Sequence, residues 1–112
     1  MEITEQKRGK VNIVGLRGRL DGTTCPVVEK RLLALAAQGE PRIAFDLSGL
    51  NYISSAGLRV LMLVAKQVHT GGGKLALAAL RDNVHEIFKI AGFTQLFSVY
   101  QTLDEALTHC AG

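Results

Sequence analysis

The sequence predicts an α/β domain built on a mixed sheet of about five strands, with about four helices lying mainly on one side. Three observations carry that prediction. Segments with apolar residues at every second position alternate along the chain with segments whose apolar residues recur every third or fourth. Lys74 to Leu80 is almost continuously apolar, as in a strand covered on both faces. The 112 residues, 47% hydrophobic and 21% charged, also suffice for one core without disulfide or metal support.

Taken in order, Ile3 to Gln6 is a weak strand, and Val11 to Leu16 alternates apolar with small or polar residues as a half-buried strand does. Gly18-Arg19-Leu20-Asp21-Gly22 reads as a turn. Thr23 or Thr24 then offers a helix cap, with Pro26 in the first turn, where its missing N–H is harmless. Val28, Leu32 and Leu35 form the apolar face of that helix, and Gly39 supplies a stop. Arg42 to Leu47 is the next strand, with Ile43, Phe45 and Leu47 on one side.

A short loop leads to a helix starting around Ser54 to Gly57, striped by Leu58, Leu61, Met62, Ala65 and Val68, with Arg59, Lys66 and Thr70 opposite. Gly71-Gly72-Gly73 ends it before the apolar strand. A shorter helix follows with Val84, Ile87, Phe88 and Ala91 as its stripe and Gly92 as its stop. Leu96 to Tyr100 is a last strand. Leu103, Ala106, Leu107 and Cys110 mark a terminal helix, with Asp104 and Glu105 near its positive end.

Several functions are set aside by the residues. Thirteen Lys and Arg against ten Asp and Glu give a net charge of +3, spread without a dense run, and the chain has no Trp; this is no footprint of a nucleic-acid binder. Cys25 and Cys110 are expected to be reduced, packed thiols. The polar start from Met1 to Lys10 carries no signal-peptide pattern, and Leu58 to Val68 is too short to span a bilayer, so a cytoplasmic protein without membrane contact is expected. Gly71-Gly72-Gly73-Lys74 follows a helix and opens a strand, the reverse of a phosphate loop. His69, His85 and His109 stand without companions at metal-ligand spacing, so no metal or cofactor is expected. A serine nucleophile at Ser55 would want Gly two residues before and two after; Gly57 is there, but Ile53 occupies the other place. The chain is expected not to be an enzyme.

The informative segment is Asp46-Leu47-Ser48-Gly49-Leu50-Asn51-Tyr52-Ile53-Ser54-Ser55-Ala56-Gly57-Leu58. Two hydroxyls at a helix start are ordinary caps. Gly57 inside the first turn is not, because glycine disfavours a helix, and it suggests a close approach to the backbone. The run Asp-Leu-Ser-x-Leu-x-x-Ile-Ser-Ser-Ala-Gly-Leu resembles the signature of the STAS family, the sulfate transporter and anti-sigma factor antagonist domains. Gly18-Arg19-Leu20-Asp21 resembles the turn before that family's first helix, and Ala91-Gly92 the end of a later one. The resemblance runs along the whole chain and is strongest to the single-domain bacterial anti-sigma factor antagonists, so residues 1–112 are expected to be one STAS domain.

The resemblance implies a binding module controlled by phosphorylation. The unmodified form would bind an anti-sigma factor that is also an ATP-dependent serine kinase and so release its target; phosphorylation would dissociate it, and a PP2C-type phosphatase would restore it. The family's phosphoserine, two residues before the motif's Gly, corresponds to Ser55. Many members carry Asp before it where this chain has Ser54, which makes Ser54 the alternative hydroxyl. Asp21 matches the family's turn Asp, an Asx-type turn residue in its own right. Partner contact is expected from Asp21, Ser54, Ser55, Ala56, Gly57 and Arg59. Ala56 and Gly57 would keep the surface low for an approaching kinase, and Arg59, facing outward, is placed to pair with the partner or with the phosphate. The alternative reading is an unphosphorylated STAS adaptor docked on the ATPase subunit of a transport complex. A monomer is expected.

Overall fold

A computed structural model describes residues 1–112. Six strands and four helices follow one another as β1 (Glu2–Arg8), β2 (Val11–Leu20), α1 (Cys25–Ala36), β3 (Arg42–Asp46), β4 (Leu50–Ile53), α2 (Ser55–Thr70), β5 (Lys74–Ala78), α3 (Asp82–Ile90), β6 (Ser98–Tyr100) and α4 (Leu103–Ala111), with a 3₁₀ turn at Phe93–Gln95. The sheet runs β1-β2-β3-β5-β6, and β4 joins it by pairing with β2. Only the β1–β2 hairpin is antiparallel; the other pairings are parallel.

The expected mixed sheet is therefore present, with one strand more than expected. Leu50–Ile53, read from sequence as loop, is β4, and it exists because β2 is longer than its own pattern suggested. Gly18 to Leu20, read as a turn, continue the strand: β2 pairs with β3 from Asn12 to Gly15, then shifts register near Gly18 and pairs with β4 from Gly18 to Leu20. Gly18 sits at φ +107°, a conformation glycine tolerates and other residues resist, which lets the strand change neighbours without ending. The real turn begins at Asp21.

Alternation along the strands divides the core between two faces. Val14 and Leu16 of β2, Ile43 and Phe45 of β3, and Leu77 of β5 point to one face, where Val28 and Leu32 of α1, Leu61, Val64 and Val68 of α2, and Val84 and Phe88 of α3 cover them. On the other face, Val11, Ala44, Ala76 and Ala78 meet Ala106 and Cys110 of α4. The row of alanines leaves room for α4 to lie close. Three helices on one side and one on the other is the expected disposition.

Smaller differences have local causes. The buried face of α2 includes Val60 and Val64, while Met62 and Ala65 are only half-buried, because α2 packs against α1 as well as the sheet. α1 stops at Ala36, before Gly39. Ala91 is exposed rather than part of the α3 stripe; Gly92, at φ +76°, turns the chain into the 3₁₀ segment, and Leu96 and Phe97, expected to open the last strand, form the turn between that segment and β6. α4 opens with a reciprocal cap between Thr102 and Glu105. No helix is long and apolar enough to cross a membrane.

Candidate functional site

The segment that stood out in the sequence forms the junction between β4 and α2. Its approach is fixed by Asp46 and Ser48 at the end of β3: Asp46 Oδ1 accepts from the Ser48 backbone N–H at 3.1 Å and from its hydroxyl at 2.7 Å. Arg81 Nε donates to the Ser48 carbonyl at 2.9 Å, and Asn83 Nδ2 to that of Asn51 at 2.8 Å, tying the start of α3 to the same loop. These contacts hold β4 beside the end of β2, with Leu20 opposite Ile53. The Ser54 N–H then donates to the Leu20 carbonyl at 2.9 Å. Through this bond the backbone of Asp21, next after Leu20, lies next to that of Ser54.

The two serines do different things. Ser54 is the helix cap: its backbone is extended (φ −92°, ψ 174°), and its hydroxyl accepts from the Gly57 N–H at 3.2 Å. Ser55 is the first helical residue, exposed, and its hydroxyl has no partner within the chain. No acidic residue occupies the first turn of α2, so the helix end keeps its positive field.

Gly57 corrects the reason given for it by the sequence. It is buried and faces inward. A Cβ there would stand 2.7 Å from Ile53 Cγ1 and 2.9 Å from the Leu20 carbonyl oxygen. The close approach is that of α2 onto the ends of β2 and β4, so Gly57 shapes the site from beneath instead of lowering its outer surface. Ala56 is half-buried against the same core cluster.

Asp21 is half-buried and committed to its turn. Its Oδ1 accepts from the Thr23 hydroxyl at 2.7 Å, the Thr23 N–H at 3.0 Å and the Thr24 N–H at 3.4 Å. The bond from the Thr23 hydroxyl, helped by the backbone bonds and by Arg19, holds the carboxyl below its ordinary value of 3.8. Thr24 Oγ1 accepts from the Asp21 N–H at 3.0 Å and donates to the Arg19 carbonyl at 2.9 Å.

Two neighbours were not found from sequence. Arg19 Nε lies 3.6 Å from Asp21 Oδ2, and the guanidinium carbon stands 4.3 Å above the Tyr52 ring centroid. Arg19 and Tyr52 are partners in the β2–β4 register. Their pairing becomes visible only once both segments are known to be strands. Arg59 is exposed, one turn beyond Ser55, on the wall of a groove of about 350 Å³ between α1 and α2 that Glu29 and Leu63 also line.

The site is thus a surface patch that joins an accessible alcohol at a helix start, a fixed carboxylate and two guanidinium groups. A groove of about 470 Å³ lies toward the other end of α2 and involves neither Ser55 nor Asp21. No three His, Cys, Asp or Glu side chains are close enough together to hold a metal ion. Cys25 and Cys110 are buried free thiols, raised above their ordinary 9.0 mainly by that burial.

Comparison with known proteins gives a consistent neighbourhood. The model of the STAS domain matches residues 2–106. A candidate anti-sigma factor antagonist of Bordetella bronchiseptica, BtrV, is 40% identical over 106 residues, covering 95% of this chain and 91% of its own. The anti-sigma-B factor antagonist of Bacillus subtilis is 30% identical over 86 residues, 77% of this chain and 78% of its own. Among solved structures, an anti-sigma factor antagonist from Mycobacterium paratuberculosis superposes with a TM-score of 0.90 at 25% identity, over 99% of this chain and 94% of its own.

Proposed function

This chain belongs to the STAS domain family, and from that premise we propose that it is an anti-sigma factor antagonist, a regulatory binding protein and not an enzyme. Residues 1–112 act as one STAS domain. Its unmodified form binds an anti-sigma factor that is also a serine kinase, and the target of that factor is released. The kinase transfers the γ-phosphoryl group of ATP to the Ser55 oxygen, with ADP leaving and the serine proton passing to the kinase. The modified protein lets go. A PP2C-type phosphatase hydrolyses the ester with water, returning the alcohol and inorganic phosphate.

The observation that carries this reading is the division of labour between the serines: Ser54 spends its hydroxyl on the Gly57 N–H, while the Ser55 hydroxyl is exposed and unengaged. Modifying Ser55 breaks no internal bond. The added charge, roughly −1.5 to −2, sits at the positive end of a helix, which accommodates it. The fold is kept and the interface changes. A partner built for a neutral alcohol must now desolvate a dianion beside Asp21. A hundredfold loss of affinity requires only about 2.7 kcal/mol.

The test is capture from the host's own extract with wild type, Ser55→Ala and Ser55→Asp as baits, followed by phosphorylation of purified protein by the captured kinase and ATP. Wild type and Ser55→Ala should hold a serine kinase, Ser55→Asp should hold it far more weakly, and label should map to Ser55. Labelling of Ser54 with Ser55→Ala still a full substrate would overturn the assignment. So would recovery of a transport ATPase together with a native protein free of phosphate at Ser55, which is the behaviour of a constitutive adaptor.

A further inference from the structure

We infer that Arg59 is the intramolecular seat of a phosphate on Ser55. The inference rests on Ser55 being the modified residue, and it adds what the phosphate does once attached.

Arg59 stands four positions after Ser55 on α2, so the two side chains are neighbours on the helix surface, and both are exposed. The anion stands N-terminal to the cation, the favourable order for such a pair. No Asp or Glu occurs anywhere in the 16 residues of α2, so no carboxylate on the same helix competes.

Arg59 is also unusual among the arginines of this chain. Arg17, Arg19 and Arg31 each face a carboxylate within 4.0 Å. Arg42 donates to the Cys110 carbonyl and Arg81 to that of Ser48. Arg59 has no such partner, and Arg8, also without one, lies in the β1–β2 hairpin at the opposite end of β2.

The groups facing the site from other elements leave Arg59 available. Asp21 is held by Thr23 and Thr24, and it occupies Arg19, which is also stacked on Tyr52. Glu29 of α1 shares the groove with Arg59 but forms no ion pair with it. Arg59 is thus an exposed guanidinium without an internal partner, one turn from Ser55. A dianion at Ser55 takes the same guanidinium.

The experiment needs no partner. Protein carrying phosphoserine at position 55, installed during translation, is titrated at low salt by ³¹P NMR as wild type, Arg59→Gln and Arg19→Gln. The second phosphate ionisation, ordinarily near pH 6, should fall about 0.3 pH unit lower with Arg59 present than with Gln. Arg19→Gln, whose guanidinium is already paired with Asp21, should move it less than Arg59→Gln does, and about 1 M salt should erase the Arg59 effect. Equal titration of wild type and Arg59→Gln overturns the inference, as does a larger effect from Arg19→Gln. Either result leaves the proposed function standing, because loss of partner binding on phosphorylation is measured separately.

Discussion

Gly57→Ala tests how the site is built. The added methyl would lie 2.9 Å from the Leu20 carbonyl oxygen, where ordinary contact begins at 3.4 Å; the shortfall is 3.4 − 2.9 = 0.5 Å. Ile53 Cγ1, at 2.7 Å, falls short by 3.4 − 2.7 = 0.7 Å. Ile53 and Leu20 are at most 1% exposed, so their side chains have little space to turn away. The carbonyl cannot yield without losing its bond to the Ser54 N–H. The first turn of α2 must therefore lift. Overpacking of this kind costs about 1–3 kcal/mol, and alanine's better helix propensity returns at most about 1 kcal/mol. Three contacts this short, one of them to backbone, put the cost in the upper half of that range, about 2–3 kcal/mol, so the expected net destabilisation is about 1–2 kcal/mol, read as a lower urea midpoint at unchanged slope. Partner affinity should fall too, since the lift displaces Ser54 and Ser55 together. A Gly57→Ala protein as stable as wild type would refute the packing argument.

Three further outcomes follow from the same geometry. Ser54→Ala removes the cap on Gly57 and should cost about 1 kcal/mol in urea unfolding, whereas Ser55→Ala should stay within about 0.5 kcal/mol of wild type; the reverse order would mean that the cap is misassigned. Asp21 has a folded pKa below its ordinary 3.8, so its contribution to stability is complete above that value and fades as the pH falls through the lower one. Thermal melts from about pH 7 to about pH 3 should accordingly show a shallower acid decline for Asp21→Asn, and parallel curves would contradict this. Cys25 and Cys110 have pKa values raised above 9.0 in the folded state, so stability present below that pH should be lost as it rises further. Iodoacetamide at about pH 8 should label both thiols in urea and neither in the native protein.

The fold was legible wherever a segment was long enough to state its period. Lys74 to Leu80 announced a doubly covered strand, and its Ala76 and Ala78 do meet α4 while Leu77 meets the helices opposite. β4 was illegible for the converse reason. Four residues offer only two buried positions, Leu50 and Ile53, and their partner strand was hidden behind Gly18, whose unusual φ reads as a turn in sequence and serves as a register shift in space. Arg19 and Tyr52 were missed with it, because a cross-strand pair cannot be seen before both strands are.

At the site, the sequence located the anomaly without its direction. A glycine in a first helical turn signals close approach, but an absent Cβ has no facing side in a string of letters, and here the approach comes from Leu20 and Ile53 inside. The serine pair shows the same limit. Adjacent hydroxyls look equivalent until the backbone turns from extended at Ser54 to helical at Ser55, which aims one oxygen at the Gly57 N–H and the other at solvent. Both details bear on one mechanical requirement. Under the proposed switch, a residue esterified and restored repeatedly must contribute nothing to the scaffold, while its neighbours hold it in place. Ser54, Gly57 and Leu20 do the holding, and Ser55 is left with no structural duty.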